Sequence, residues 1–310
     1  MTPWLYAARV PSEPPVEAES LGQPTVAPPE LAPEAERSDP PVAAGRSEPP
    51  SEAVLHAFGV DEARPLAGGQ GAAWIADGLV LKPDAGPVWE WLAPVLADAS
   101  PAGVRIAQPV QTLGGSWTHF GWSATRFVSG REPDRSRSAA WVEIVQAGRA
   151  FHNAMRHVPR PDCLAERTDP WAVADRAVWD ERSWHYLPEF EAVVSRLRPA
   201  LSPLGPAQLV HGDLTGNVLF APGELPAIID VSPYWRPPAY AEGIVVADAL
   251  SWYDASANLL DEVGVPVSAV ARALLFRMGT TSERVRAGVP KLDVQDEAQR
   301  CCRAATALGL

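Results

Sequence analysis

The chain has 310 residues, of which 46% are hydrophobic and 21% charged, and its formal net charge is −12. These values are typical of a folded globular protein and exclude a wholly disordered, collagen-like or disulfide-scaffold chain. Because the phosphate backbone of nucleic acid would repel this surplus of negative charge, we expect no nucleic-acid partner; the acidity either serves solubility or steers a cationic small molecule toward the protein.

The expected compartment follows from three features. No stretch approaches the run of about 18 apolar residues that a membrane-spanning helix needs. The first ten residues have neither the basic start nor the apolar core of a signal peptide. The three cysteines, at positions 163, 301 and 302, show no metal-ligand spacing and fit a reducing environment. We therefore expect a cytoplasmic protein with no membrane partner.

Residues 1–50 form a region of their own. Proline and glutamate dominate residues 11–50, and no aromatic residue occurs between Tyr6 and Phe58. Such a segment cannot bury enough apolar surface to offset the entropy lost on ordering. We predict a disordered, semi-extended tail, and a docking contact with another protein through this tail stays open.

Residues 51–130 are predicted to form a small, β-rich lobe. Ser51 is a typical helix-start residue, and residues 87–98 suit a second helix with Pro87 in its first turn. Between and after the helices we predict a strand ending at Leu66, a strand over 72–76, a tight turn at Asp77–Gly78, a strand over 79–82, and further β-like segments over 104–129.

Residues 131–310 are predicted to form a larger, mainly helical lobe. Helical spacing extends over residues 138–158 and most of the chain after Ala239. Two short apolar runs with polar ends, over 207–220 and 225–233, suit a β-hairpin. A small β-rich part followed by a larger helical part indicates an α+β fold with two lobes.

The strongest chemical signal lies in this hairpin. Its loop runs from His211 to Asn217 and carries Asp213, so that a carboxylate and an amide share one tight turn; Asp230 follows 13 residues after Asn217. Two carboxylates and one amide oxygen that meet at a loop mouth suit Mg²⁺, which prefers oxygen ligands and keeps some of its waters. A carboxylate left free of the metal can accept a proton from a hydroxyl nucleophile.

The sequence HGDLTGNVLF, followed by IID, resembles the H-G-D-x-x-x-x-N…D core of the aminoglycoside phosphotransferase and choline-kinase-like superfamily, small-molecule relatives of the protein kinases. The resemblance covers roughly residues 51–300 and implies a bilobal protein-kinase-like fold that binds ATP and Mg²⁺ between its lobes. It assigns Asp213 as the catalytic base, and Asn217 and Asp230 as metal ligands. The stretch over 232–242 is similar to an actinobacterial branch of this superfamily.

The resemblance also requires a lysine on the third strand, to hold the α- and β-phosphates. The chain has only two lysines, Lys82 and Lys291, and Lys82 ends the third predicted strand. Arginine's fork is a poor replacement there for a compact point charge. Glu90, in the next predicted helix, is the candidate partner of Lys82, over an interval shorter than in many relatives; a plain solvated glutamate is the alternative.

Two further segments are candidate nucleotide contacts. Gly68, Gly69 and Gly71 lie between the first two predicted strands, where backbone N–H groups can approach phosphates closely, although no Lys-Ser or Lys-Thr follows as in a Walker A loop. Phe127 and Val128 lie in the expected hinge between the lobes and are candidate adenine contacts. The alternatives are an ordinary turn and an ordinary edge strand.

The remaining assignments concern support of the site. His211 and Asp248 are expected to brace the catalytic loop, and His152 is expected to be a packed or capping histidine. The segment 231–243 holds four bulky residues and three prolines, Tyr234, Trp235, Arg236 and Tyr240 being the bulky ones. It either shapes an acceptor pocket or packs as a stiff connection on the helical lobe.

These residues together predict an ATP-dependent phosphotransferase that moves the γ-phosphate of ATP to a hydroxyl of a small-molecule acceptor. The alternative is a catalytically silent nucleotide-binding protein that acts as a regulator or scaffold on the same fold. A metallophosphatase is set aside, because Val218 rather than histidine follows Asn217 and the sequence has no D-x-H motif.

Overall fold

The computed structural model describes residues 48–66, 72–83, 85–182 and 184–310, all within one compact unit. The predicted tail up to residue 47 and the predicted phosphate loop with Gly68, Gly69 and Gly71 lie outside the described residues. Among the described helices, none combines the length and the apolar character needed to cross a membrane.

The elements of the first part of the chain are α1 (Glu52–Ala57), β1 (Arg64–Pro65), β2 (Trp74–Ala76), β3 (Leu79–Lys82), α2 (Pro87–Ala97), β4 (Arg105–Ile106), β5 (Pro109–Val110) and β6 (Ser123–Arg126). All of these strands except β4 form an antiparallel five-stranded sheet with the strand order β1-β2-β3-β6-β5. A small apolar core joins α1 to this sheet, formed by Val54, Phe58, Val60, Ala76, Leu79, Leu81 and Ala124.

The turn between β2 and β3 fixes the register of this sheet. Asp77 and Gly78 have φ values of 42° and 76°, as the two central residues of a type I′ hairpin turn require. The predicted turn and the strand over 79–82 are therefore confirmed. The register puts Lys82 at the end of β3, opposite Ser123 of β6.

The second part is mainly helical. Its elements are α3 (Ser138–Met155), α4 (Pro170–Val178), α5 (Glu191–Leu197), β7 (Gln208–His211), β8 (Val218–Leu219), β9 (Ala227–Ile228), β10 (Pro233–Arg236), α6 (Pro238–Trp252), α7 (Leu259–Val263), α8 (Val267–Arg286) and α9 (Val294–Ala307). In α6, 12 of 15 residues are buried, as expected of a helix at the centre of a core. It crosses α8 so closely that a Cβ at Gly243 would lie 2.6 Å from the backbone of Ala269.

Two small sheets position the predicted hairpin. β8 and β9 pair antiparallel, with Val218 opposite Ile228, which confirms the hairpin. β9 also pairs in parallel with β4, so that the first part of the chain is joined directly to the strand that leads to Asp230. β7 does not extend the hairpin but pairs antiparallel with β10. The loop from β7 to β8 therefore connects a strand of one small sheet to a strand of the other.

Candidate active site

The loop between β7 and β8 is built around a buried histidine. His211 is 0% exposed, and its Nδ1 accepts hydrogen bonds from the backbone N–H groups of Asp213 (3.2 Å) and Ser232 (3.3 Å). Its proton therefore lies on Nε2, which donates to the carbonyl oxygen of Ile229 at 3.3 Å. Burial lowers the pKa of His211 to about 4. The neutral ring ties this loop to the chain on both sides of Asp230, which fits the bracing expected from the sequence.

A second buried histidine supports the first. His152 of α3 is 2% exposed, and its Nε2 accepts the backbone N–H of His211 at 3.1 Å. Burial, together with the charge His211 would carry, lowers the pKa of His152 to about 3. Phe151 packs edge-on against both imidazole rings. His152 is thus a packed histidine that also satisfies one backbone donor of the loop.

Asp213 emerges from this braced loop with its side chain 43% exposed. The amide nitrogen of Asn217 donates to the backbone oxygen of Asp213 at 2.7 Å and lies 3.3 Å from its Oδ2. The loss of solvent around Asp213, together with the negative charges of Asp248 and Asp230, raises its pKa to about 6, against the opposing effect of Arg277. Asp213 is therefore a carboxylate that protein atoms surround but solvent still reaches.

The loop is shorter than the superfamily pattern. Three residues separate Asp213 from Asn217, where the pattern H-G-D-x-x-x-x-N has four. The turn nevertheless closes, since the backbone N–H of Asn217 also donates to the oxygen of Leu214 at 3.0 Å. The asparagine reaches the aspartate despite the missing residue.

Lys82 and Asp230 meet directly. Lys82 Nζ lies 2.6 Å from Asp230 Oδ2, and the two side chains are 38% and 52% exposed. Asp230 follows β9 with a φ of 49°, a left-handed conformation that is uncommon outside glycine and directs the chain sharply out of the strand. The structure therefore brings the third-strand lysine to the predicted metal aspartate, from elements 148 positions apart in sequence.

Glu90 does not join this pair. It is exposed on the first turn of α2 and accepts a hydrogen bond from the hydroxyl of Thr118. Four residues separate β3 from α2. Among the described residues, the ionic partner of Lys82 is Asp230.

The expected hinge lies beside the hairpin. The N–H of Phe127 donates to the oxygen of Gly78 at 2.7 Å, and the Phe127 side chain is exposed; Val128 is half-buried. A Cβ at Gly130 would lie 2.8 Å from Cβ of Leu219 in β8, so the chain approaches the hairpin as closely as only glycine allows. The backbone N–H of Phe127 thus already has a hydrogen-bond acceptor within the protein. Phe127 and Val128 both lie next to the start of the helical part.

Many residues of the segment 231–243 are buried against the helical part, as expected of a packed connection. Residues 233–236 form β10, and the ring of Tyr234, 6% exposed, fills the space where a Cβ of Gly212 would lie. Arg236 lies 2.6 Å from both Asp175 Oδ2 and Glu181 Oε1. Among these residues, Tyr234 packs behind Gly212 of the loop between β7 and β8, and Arg236 pairs with two carboxylates of the helical part.

One residue beside Asp213 was missed by the sequence analysis. Arg277, in the middle of α8, binds both carboxylate oxygens of Asp248, with Nε at 2.8 Å from Oδ1 and Nη2 at 2.6 Å from Oδ2. Its Nη2 also lies 3.5 Å from Asp213 Oδ1. A single arginine within the apolar run ALLFRMG was the available signal, but nothing in the sequence names its partner.

The oxygen atoms at this site suit a hard divalent cation. Since the amide nitrogen of Asn217 donates to Asp213, its amide oxygen takes no part in those hydrogen bonds and is a candidate metal ligand, together with the carboxylate of Asp230. The described residues include no cluster of three or more His, Cys, Asp and Glu side chains suited to a metal. Mg²⁺ prefers oxygen ligands, retains waters and binds phosphate oxygens.

Comparison with known proteins agrees with this geometry. Residues 87–232, from α2 to the residue before β10, match the model of the phosphotransferase enzyme family APH. The predicted resemblance to this superfamily is confirmed. The match includes Asp213, Asn217 and Asp230 but begins after Lys82. No curated protein matches the chain.

Solved structures with the same fold include members of both branches of the superfamily. An aminoglycoside phosphotransferase from Alicyclobacillus acidocaldarius shares 13% identity at a TM-score of 0.56, over 86% of this chain and 95% of its own. A choline/ethanolamine kinase family protein from Mesorhizobium loti shares 17% identity at 0.50, over 84% and 94%. A thermostable variant of the phosphotransferase APH(4)-Ia, in ternary complex with ADP and hygromycin B, shares 15% identity at 0.51, over 83% and 97%. The predicted α+β, bilobal kinase-like fold is confirmed.

Proposed function

We propose that this protein transfers the γ-phosphate of ATP to a hydroxyl group of a small molecule. The observation that carries the proposal is the 2.6 Å contact between Lys82 Nζ and Asp230 Oδ2, beside a braced loop that presents Asp213 and Asn217. A phosphotransferase needs one cation for the phosphates, oxygen ligands for a metal and a base for the acceptor hydroxyl, all within reach of each other. These four side chains supply that set.

Each residue then has a distinct role. Lys82 holds the α- and β-phosphates, and Asn217 and Asp230 would hold Mg²⁺, which when bound neutralises charge on the phosphate oxygens. Asp213 orients the acceptor hydroxyl for in-line attack and accepts its proton at the carboxylate. The sequence predicts adenine contacts at Phe127 and Val128, and phosphate contacts at Gly68, Gly69 and Gly71, which lie outside the described residues. One structural neighbour solved with ADP supports nucleotide binding on this fold.

Bound nucleotide would rearrange the lysine contact. In the structure Lys82 and Asp230 neutralise each other, and both are partly exposed. Phosphate oxygens compete for the ammonium group, and a divalent cation competes for the carboxylate, so both charges keep a partner when the pair separates. Glu90 has no part in this arrangement, because its carboxylate is bound to Thr118.

The proposal is tested by screening purified protein against a metabolite library for ADP release from Mg-ATP, with mass spectrometry to identify the phosphorylated product. The library includes cationic hydroxyl compounds, since the chain carries a net charge of −12. The Asp213→Asn variant should lose about 10²–10⁴-fold in turnover, because a base is removed while the side-chain shape is kept.

Nucleotide affinity provides the control. Thermal shift and calorimetry with ATP, with and without Mg²⁺, should give similar affinities for Asp213→Asn and the wild type, since Asp213 contacts the acceptor. Normal turnover by Asp213→Asn would contradict the assignment of the base. ATP binding by the wild type without hydrolysis or transfer to any acceptor would favour the catalytically silent alternative.

A further inference from the structure

Arg277 is a buried cation that two carboxylates from different elements share. It lies on α8 with its side chain 19% exposed, and Nε and Nη2 bind Asp248 of α6 at 2.8 and 2.6 Å. Asp248 is 4% exposed, so the pair lies inside the helical core. The same Nη2 reaches Asp213 Oδ1 at 3.5 Å. Arg277 therefore links the central helix of the core to the carboxylate at the candidate active site.

The contacts of Asp213 differ at its two oxygens. Oδ1 faces Arg277 Nη2 at 3.5 Å, and Oδ2 faces the amide nitrogen of Asn217 at 3.3 Å. Two donors on opposite sides of a carboxylate restrict rotation about its last side-chain bond, which otherwise has a broad minimum. Because 43% of the side chain stays exposed, an incoming hydroxyl can still approach it.

The arrangement depends on the shape of guanidinium. Nε and Nη2 lie on one edge of the group and match the two oxygens of Asp248, which fixes the plane of the cation. With that edge fixed, the second hydrogen on Nη2 is directed away from Asp248, and Asp213 lies within its reach. A lysine ammonium has no rigid edge and cannot hold two carboxylates in a set relation.

We propose that Arg277 is a positioning residue that holds the Asp213 carboxylate in the orientation from which it accepts the acceptor's proton. The inference rests on the proposed function and adds to it a residue from outside the matched family segment, 64 positions from Asp213. The competing interpretation is that Arg277 only compensates the buried charge of Asp248, in which case its removal lowers stability without a specific effect on turnover.

The test uses the slow release of ADP from Mg-ATP with water as the acceptor, so that no acceptor has to be known. In the full-length protein, Arg277→Met should lower kcat at least tenfold and leave KM for ATP within about threefold, because the carboxylates that Arg277 binds, Asp248 and Asp213, are not proposed nucleotide ligands. Arg277→Lys, which keeps the charge but not the rigid edge, should fall between Arg277→Met and the wild type. Guanidinium at millimolar concentration should restore part of the kcat of Arg277→Ala.

Arg149→Met is the matched control. Arg149 binds Glu242, also on α6, at 2.6 Å through Nη2 and 3.0 Å through Nε, and it contacts no residue of the 211–217 loop. Its removal breaks another arginine–carboxylate pair of α6, in which both nitrogens share one oxygen, and should lower the unfolding midpoint while kcat of the remaining folded protein stays within twofold.

A double-mutant cycle separates positioning from general support. In the Asp213→Asn background, Arg277→Met should cause less than a twofold further loss of kcat, because the group it positions is already gone. Equal losses in both backgrounds, or a loss no greater than in Arg149→Met, would overturn the inference and leave the proposed function intact. If Arg277→Met does not fold, Arg277→Lys carries the same cycle. A wild-type protein that neither hydrolyses nor transfers phosphate contradicts both proposals together.

Discussion

The two sides of the candidate active site are held in different ways. On one side, Asp213 lies on a loop fixed by the buried, neutral rings of His211 and His152 and by the amide of Asn217. On the other side, the side chains of Lys82 and Asp230 are 38% and 52% exposed and form an ion pair with each other. In the proposed function, the side with the proposed base is thus ordered before any ligand arrives, whereas the side proposed to bind phosphate exchanges partners when a ligand binds.

The difference follows from what each side must do. A proton acceptor works only in a narrow range of distances and angles, which a rigid core can supply in advance. In the proposed function, Lys82 and Asp230 must exchange their mutual contact for phosphate and cation, which requires access to solvent. Since the side chain of Asp213 is 43% exposed and that of Lys82 is 38% exposed, the two sides differ in the hydrogen bonds that fix them and not in exposure.

Among the changes that compare the two sides, removal of Lys82 should have the largest effect. This effect should be on nucleotide affinity and not on folding stability. Lys82→Met removes charged hydrogen bonds to phosphate, worth about 1.5–3 kcal/mol, so nucleotide affinity should fall by roughly 10- to 150-fold. Folding stability should change by less than about 1 kcal/mol, because the pair with Asp230 is partly exposed. Calorimetry with ATP and urea unfolding measure the two quantities.

Lys291→Met, at the only other lysine, serves as the control and should leave nucleotide affinity unchanged. A loss of stability in Lys82→Met that matched the loss of affinity would contradict the contrast between the two sides.

A larger side chain at Gly212, behind the loop that carries Asp213, should mainly lower folding stability, in contrast to the removal of Lys82. A Cβ at Gly212 overlaps the ring of Tyr234, so Gly212→Ala should destabilise the protein by about 1–3 kcal/mol and shift Asp213. Urea unfolding and ADP release measure both consequences. Gly86→Ala is the control, since its Cβ meets nothing within 4 Å. Unchanged stability in Gly212→Ala would show that the loop is free to move.

A buried carboxylate in the helical part should make the free energy of unfolding depend on pH. Burial raises the pKa of Glu297, on α9, to about 7 from an ordinary 4.5, although Thr281 donates a hydrogen bond to it at 2.7 Å. Between pH 4.5 and 7 the folded protein keeps a proton that the unfolded chain has released, so this group lowers the free energy of unfolding as pH rises through that window.

Glu297→Gln removes this dependence. The variant should gain little at pH 5 and on the order of 2 kcal/mol at pH 8, relative to wild type, by urea unfolding. The exposed Glu191→Gln is the comparison and should show no such difference between the two pH values. An equal gain at both pH values would mean that the charge of Glu297 is not the cause.

The smallest effect is expected at Glu90. Because its carboxylate binds Thr118 and Lys82 binds Asp230, Glu90→Gln should change nucleotide affinity and kcat/KM by less than about threefold. A loss as large as that of Lys82→Met would show that Glu90 and Lys82 meet when nucleotide binds, as the sequence analysis predicted. Titration of both variants with ATP under the same conditions decides between the two outcomes.

Local sequence patterns were sufficient for elements whose contacts are near in the chain. The Asp77–Gly78 turn, the strand ending at Lys82 and the helix beginning at Pro87 all agree with the structure, because turn chemistry and helix starts depend on adjacent residues. The segment from His211 to Asp230 likewise includes the loop, the β8–β9 hairpin and the two candidate metal ligands, all within 20 consecutive residues.

Contacts between distant elements were decided only by the tertiary structure. The pairing of β10 with β7, which places part of the segment 231–243 in a strand, depends on the register of two strands 22 to 28 positions apart. The choice of Asp230 over Glu90 as the partner of Lys82, and the position of Arg277 beside Asp213, depend on how the sheet and α8 pack. The sequence determines which charged residues are present, but packing in three dimensions determines which of them are in contact.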